Sequence, residues 1–303
     1  MRIAVTGTRG QVVCSLLERG PAHGVDIVAV GRPALDLAEP ASIHPALAAA
    51  RPDVIVNAAA YTAVDRAESE PELATAINCA GAGAVASAAC TLGVPLIQIS
   101  TDYVFDGSSA RSYREDDQTA PLGAYGRSKL AGERAVAERS ADHAILRTAW
   151  IYSPFGANFV KTMLRLAAGR NEIAVVADQA GAPTSALDIA DGVIAVAENL
   201  LKHSGEAALR GVFHMTGSGE ANWAEFARAV FEASATRGGP GARVRPITTA
   251  EYPTPARRPA NSRLDCGKLA QCHGVVLPAW RGSVESCVAR ILAESHPTPG
   301  SAS

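Results

Sequence analysis

The sequence predicts an α/β fold, a doubly wound parallel sheet in its first half followed by a smaller, irregular C-terminal domain. Two observations carry that expectation. Over residues 1–150, apolar runs of strand length alternate with alanine-rich stretches of helical length. Strands separated by helices pair in parallel, with both faces of the sheet covered. In addition, a glycine-containing turn joins the first strand to the first helix, where sheets of this kind hold phosphate groups.

Arg2 to Thr6 reads as the first strand, and the segment after Gly10 through Leu17 as the first helix. Asp26 to Val30 is a second strand, Ser42 to Ala50 a helix, and Val54 to Asn57 a third strand. Pro71 to Leu92 is a long alanine-rich helical stretch, closed by Gly93 as a natural stop. Pro95 to Ser100 is a fourth core strand, Tyr125 to Arg139 a helix, and Ala144 to Arg147 a fifth strand. On that helix Leu130 reads as apolar and Glu133, Arg134 and Glu138 as charged.

The pattern changes beyond residue 150, so the chain divides into 1–150 and 151–303, with an exchange of elements between the two parts left open. Asn158 to Ala168, Asp188 to Leu201 and Trp223 to Ala233 read as helices, with strands at Ile173 to Val176 and Gly211 to Thr216. Thr236 to Arg263 is rich in Pro, Gly and Arg and reads as loop. The Pro-, Ser- and Gly-rich tail 296–303 reads as disordered.

With 303 residues, 48% apolar and 19% charged, the chain can bury a sizeable core. A net charge of −2 with scattered Lys and Arg argues against a nucleic-acid partner. The N-terminus runs straight from a strand into a glycine turn, unlike a signal peptide. No apolar run approaches the roughly 20 residues that cross a bilayer, so no membrane partner and a cytoplasmic protein are expected. None of the six cysteines has Cys-x-x-Cys spacing, so free thiols and no metal are expected.

The first turn reads Gly7-Thr8-Arg9-Gly10-Gln11-Val12-Val13, the context of a Rossmann-type dinucleotide loop. Gly7 permits the tight turn, Gly10 lets backbone approach a pyrophosphate, and the helix N-terminus offers N–H groups and positive dipole. Val13 stands where the third glycine of that pattern usually serves helix–strand packing. The second strand ends in Arg32 rather than an acidic residue. Its fork suits a 2′-phosphate, which favours NADPH with NADH possible. Asp36 and Leu37 are placed to flank the adenine.

Tyr125 and Lys129 lie four residues apart at a helix start, so they share one face. Reduction of a ketone needs a hydride and a proton for the oxygen. A tyrosine has a pKa of about 10; a neighbouring ammonium would lower it and ease proton transfer. Thr101, at the end of the fourth strand, can hydrogen-bond the same oxygen. Any one of these signals is weak alone; their order along one chain is what points to a reductase.

These residues resemble the extended short-chain dehydrogenase/reductase family, and within it the dTDP-4-dehydrorhamnose reductases. The likeness spans Arg51 to Asp65, Glu68 to Pro71, Ser100 to Gly107, Tyr125 to Glu133, Arg147 to Tyr152, Asp178 to Thr184 and Arg258 to Leu264. It implies NADPH-dependent reduction of the C4 ketone of dTDP-4-dehydro-β-L-rhamnose to dTDP-β-L-rhamnose. It implies catalytic roles for Thr101, Tyr125 and Lys129, and cofactor contacts from Gly10, Gln11, Val12, Ala60, Tyr61 and Thr62. It places the dTDP-sugar against Thr101, Asp102, Tyr103 and Trp150.

Trp150 is open to two readings: a core tryptophan, or a wall against the methyl face of the deoxysugar. Arg257, Arg258 and Arg263 could approach the substrate pyrophosphate or be solvated, and stay outside the expected site. Some members of the family form magnesium-dependent dimers through glutamates, one of them in the first helix. Ser15 falls in that helix here, so a monomer or a homodimer without a bridging metal is expected. The competing readings are another keto-sugar reductase or epimerase of the same fold, and a non-catalytic regulatory subunit.

Overall fold

The computed structural model describes residues 1–295, so the tail expected at 296–303 lies outside the described residues. The first half contains β1 (Arg2–Thr6), α1 (Gln11–Arg19), β2 (Asp26–Val30), α2 (Pro40–Ala50), β3 (Val54–Asn57), α3 (Val64–Ala67), α4 (Pro71–Thr75), α5 (Ala82–Leu92), β4 (Leu96–Thr101), α6 (Ala124–Arg139) and β5 (His143–Thr148). Then come β6 (Ile151–Tyr152), α7 (Phe159–Ala167), β7 (Glu172–Val176), β8 (Ala180–Gly181), β9 (Thr184–Ser185), α8 (Ala186–Lys202), β10 (Gly211–His214), β11 (Ala221–Asn222), α9 (Trp223–Ala235), β12 (Arg243–Ile247), α10 (Gly267–His273) and α11 (Trp280–Ser295).

Six strands form one parallel sheet in the order β10-β5-β4-β3-β1-β2. Every residue of β3, β4 and β5 is buried, as expected for strands covered on both faces. One face packs on α1 and α8 through Val13, Leu16, Ile189 and Val193. The other packs on α2 and α5 through Ile43, Leu47, Val85 and Ala86. Chain order reverses between β1 and β3, so the turns after these strands flank the crevice where such sheets bind ligands. Two elements from beyond residue 150, α8 and β10, are part of this layer. A further core joins α7, β7, α9 and α11 through Val160, Ile173, Phe226 and Val288.

Two expectations are corrected. The stretch Thr236–Arg263 is not all loop: β12 pairs in parallel with β7 over its whole length. Its Arg243, Arg245 and Pro246 hid the strand, and proline is tolerated there because the pair has no further neighbour. The run Pro71–Leu92 is long and apolar enough, by length and composition, to cross a membrane, although half of it is buried within the protein. It is interrupted by a π-helical turn at Ala76–Gly81. Around that turn the backbones close in: a Cβ on Gly132 of α6 would lie 2.0 Å from the Asn78 carbonyl, and one on Gly81 2.5 Å from that of Leu37. Glu133, noted in the sequence only as charged, is buried.

Candidate active site

The turn after β1 is shaped for an anion. Gly7 has φ +98, a conformation L side chains rarely adopt, and donates its N–H to the Val30 carbonyl. A Cβ on Gly10 would meet nothing nearer than Val13 at 3.8 Å. The first turn of α1 holds no acidic residue, and Gly10 gives it no side-chain cap. Its backbone N–H groups and dipole are thus available to a phosphate, and the residues present fit a dinucleotide. Val13, in place of the third glycine, is buried in the core and touches Gly7, so the packing role of that position is filled. The Gln11 side chain accepts hydrogen bonds from Ser153 Oγ and Asn158 Nδ2, tying the loop to the segment before α7.

A buried ladder of polar side chains links this turn to α6. Thr6 donates to Asn57, Asn57 to Gln98, and Gln98 to the Ile99 carbonyl. That carbonyl also accepts a 2.7 Å hydrogen bond from Lys129 Nζ. Tyr125, one turn earlier on α6, lies beside the Thr101 hydroxyl, which acts to lower the pKa of the phenol. Thr101 Oγ1 also donates to Asp102 Oδ1 at 3.0 Å and accepts from the Tyr103 N–H. Thr101, Asp102, Tyr125 and Lys129 therefore meet at the carboxyl end of β4, and the Tyr103 ring lies edge-on to Tyr125 with centroids 5.6 Å apart.

Burial sets the electrostatics. It pushes the Tyr125 phenol above its ordinary pKa, with Asp102 and Tyr103 adding to the rise and Thr101 opposing it. This reverses the direction expected from a neighbouring ammonium: desolvation of the phenolate dominates. Burial also pushes Lys129 down to about 8, while the carboxylate of Glu133 raises it. The Asp102 carboxyl is raised to about 6 by burial, against the nearby hydroxyls of Ser262 and Thr101, of which Thr101 hydrogen-bonds it. Tyr103 is raised to about 12, again chiefly by burial.

The other expected contacts divide. Ala60, Tyr61 and Thr62 follow β3 and border the crevice. Tyr61 is held there by its N–H to Asn78 Oδ1 and its hydroxyl to Glu70, which raises its pKa. Arg32 follows β2, with its side chain 80% exposed and its guanidinium 3.9 Å from Asp36. Leu37 is turned into the core beside α5, so only its backbone can face a ligand.

Trp150 has φ 49 and stacks on Trp223 at 3.7 Å with an interplanar angle of 13°. Gly181 lies against its edge: a Cβ there would come within 2.5 Å of the indole. The ring is half-buried, so it is fixed in place and still presents surface. Trp223, which no motif singled out, is its support. Asn78 was also missed; its amide joins Tyr61 to Ser128, beside Lys129.

The segment 256–265 closes over the loop that follows Thr101. Pro259 packs on Gly107, whose φ is +78, and Tyr113 exchanges backbone hydrogen bonds with Arg263 and Asp265. Arg258 pairs with Asp65 at 3.1 Å, and its charge acts to lower the pKa of Tyr103. Arg263 instead bonds Glu220 and the Ala110 carbonyl, and Arg257 is exposed. Of the three arginines, Arg258 approaches the expected site. Ser15 is fully buried and donates to the Gln11 carbonyl. Among the described residues no group of three or more His, Cys, Asp or Glu gathers to hold a metal.

The family described as RmlD substrate binding domain matches residues 1–293. A dTDP-4-dehydrorhamnose reductase of Sinorhizobium fredii is 52% identical over 294 residues, covering 97% of this chain and 99% of that one. A solved dTDP-4-dehydrorhamnose reductase from Clostridium acetobutylicum superposes with a TM-score of 0.88 at 34% identity, over 96% of this chain and 100% of that one. One from Bacillus anthracis, in complex with NADP, gives 0.87 at 36% identity over 95% and 99%.

Proposed function

The chain belongs to the dTDP-4-dehydrorhamnose reductase family, and on that premise we propose that it reduces the C4 ketone of dTDP-4-dehydro-β-L-rhamnose to dTDP-β-L-rhamnose with NADPH. The observation that carries the reading is the meeting of Thr101 and Tyr125 at the end of β4, with Lys129 one turn further along the same helix face and bonded to the Ile99 carbonyl. When bound, the reduced nicotinamide supplies the hydride.

Gly7, Gly10 and the start of α1 hold its pyrophosphate, Ala60 to Thr62 border it, and Arg32 reaches the 2′-phosphate. Lys129 serves the nicotinamide ribose. Tyr125 donates its proton to the ketone oxygen as the carbonyl electron pair moves onto that atom. A phenol raised by burial keeps its proton at neutral pH, so it stands ready as the acid. Thr101 donates a hydrogen bond to the developing oxyanion, inside a site where burial strengthens it. Asp102 and Tyr103 meet the sugar beside Thr101, and Trp150, braced by Trp223, forms its apolar wall.

We assign the sheet-bearing part, chiefly 1–150, to the cofactor and 151–303 chiefly to the sugar nucleotide, with α8 and β10 lent to the first. Six free cysteines support a reducing, cytoplasmic setting. Replacement of Tyr125 with Phe tests the assignment. Turnover should fall by about two to four orders of magnitude, with NADPH affinity nearly unchanged; parental turnover in that variant would remove Tyr125 from the chemistry.

A further inference from the structure

Beneath the site lies a buried ion pair that the reaction does not use directly. Glu133 stands one turn beyond Lys129, on the same face of α6 as Lys129 and Tyr125. Its carboxylate takes a bidentate pair of hydrogen bonds from Arg147 of β5, at 2.9 and 2.7 Å. Both side chains are 5% exposed. Glu133 Oε1 also accepts a 2.5 Å hydrogen bond from Ser100 Oγ. Ser100 and Arg147 are direct register partners on adjacent strands, so one carboxylate spans two neighbouring strands. The guanidinium of Arg147 also lies over the Phe105 ring, 5.1 Å from its centroid.

The pattern around Thr101 is specific. Two consecutive residues of β4 are held by two successive turns of α6, Ile99 by Lys129 and Ser100 by Glu133, and the turn before these places Tyr125 beside Thr101. The turn Thr101-Asp102-Tyr103 is also held at both ends by the ion pair, at Ser100 before it and at Phe105 after it. A buried ion pair is a weak source of stability, since desolvation offsets its attraction. Its placement here gives it another use.

We propose that the Glu133–Arg147 pair is a positioning device for the reaction: through Ser100 and Phe105 it fixes the Thr101–Tyr103 turn in register with α6, so that Thr101 meets Tyr125. The inference rests on the reductase reading above. It gives Glu133 a second effect, because its carboxylate is the charge that holds Lys129 up against burial. The other ionisable groups packed around α6 are Asp102 and Tyr103 after β4, Arg147 and His143 on β5, Glu68 at the helix start and Cys79 in the π turn. None of these acts on Lys129 as Glu133 does.

Two variants test the device. Ser100→Ala removes one oxygen and leaves every charge in place. It should lower kcat by between about tenfold and about a hundredfold, keep the NADPH dissociation constant within about twofold, and speed amide hydrogen exchange at residues 101–103 in the protein alone. Glu133→Gln should do the same and also move the titration midpoint of Lys129, read from its side-chain 13Cε shift without ligand, to lower pH. A folded Ser100→Ala protein with parental kcat and parental exchange at 101–103 would overturn the proposal, as would a folded Glu133→Gln protein with an unmoved Lys129 midpoint. If Glu133→Gln fails to fold, Ser100→Ala alone decides. If the parent fails to reduce the keto-sugar, the reductase reading fails on its own, and the exchange and titration measurements still decide the inference.

Discussion

The phenol of Tyr125 lies beside the hydroxyl of Thr101 although they sit on different elements, the first turn of α6 and the last residue of β4. The same hydroxyl donates to Asp102. Thr101 thus sits between the proposed proton donor and the residue placed against the sugar. Thr101→Val keeps the shape and removes the donor. It should lower kcat by about a hundredfold or more, as loss of a donor to a developing oxyanion does, while NADPH affinity stays near parental. Steady-state kinetics with an NADPH-binding titration checks this.

Lys129 predicts opposite trends in activity and stability. Its pKa in the folded protein is about 8, below its ordinary value of 10.5, because burial penalises the charged form. Activity that depends on the ammonium should therefore fall as pH rises through about 8. For stability the sign is the reverse. Between the folded and unfolded pKa values the unfolded chain binds more protons, so the contribution of Lys129 to stability rises with pH across that window. A pH profile of kcat beside thermal melts from pH 7 to 10, compared with Lys129→Met, separates the two; the Lys129→Met protein should lose this part of the stability change.

Gly181 predicts a defect confined to the sugar side. A Cβ there would come within 2.5 Å of the Trp150 indole and displace a ring already stacked on Trp223. Gly181→Ala should raise KM for the sugar nucleotide by about tenfold, the loss of roughly 1.4 kcal/mol of binding, and leave KM for NADPH within about twofold. Equal increases in both would show that Trp150 supports the fold as a whole.

Arg32 predicts cofactor choice. Its guanidinium is largely exposed and only loosely associated with Asp36, so it is free to pair with a phosphate dianion. Arg32→Ala should cut the preference for NADPH over NADH by about tenfold or more, measured as the ratio of kcat/KM values, with NADH kinetics nearly unchanged.

The elements most legible in the sequence are those with one dominant local cause. β1, β2 and β3 lie where they were expected to the residue: β1 and β3 carry buried apolar runs, and β2, half-buried at the sheet edge, keeps an apolar run after Asp26. The pairing of Tyr125 with Lys129 was legible because a helix places residues four apart on one face. Glu133 sits at the next such position, yet its burial was not legible, because its partners Arg147 and Ser100 lie 14 and 33 residues away. No local pattern separates a solvated glutamate from one paired across two strands. The direction of the Tyr125 shift was misjudged for a related reason: a neighbouring lysine is visible in sequence, but the depth at which both groups are buried is not. β12 was hidden by arginines and a proline that only an isolated two-stranded pair can accommodate.

The most direct test of the central claim is the stoichiometry of NADPH oxidation against dTDP-4-dehydro-β-L-rhamnose consumed, with NADH and a substrate-free control alongside. The account predicts rapid oxidation of one NADPH for each sugar reduced, with dTDP-β-L-rhamnose as the product. Folded protein that binds NADPH yet leaves it unoxidised, or that converts the sugar without consuming it, would contradict the account.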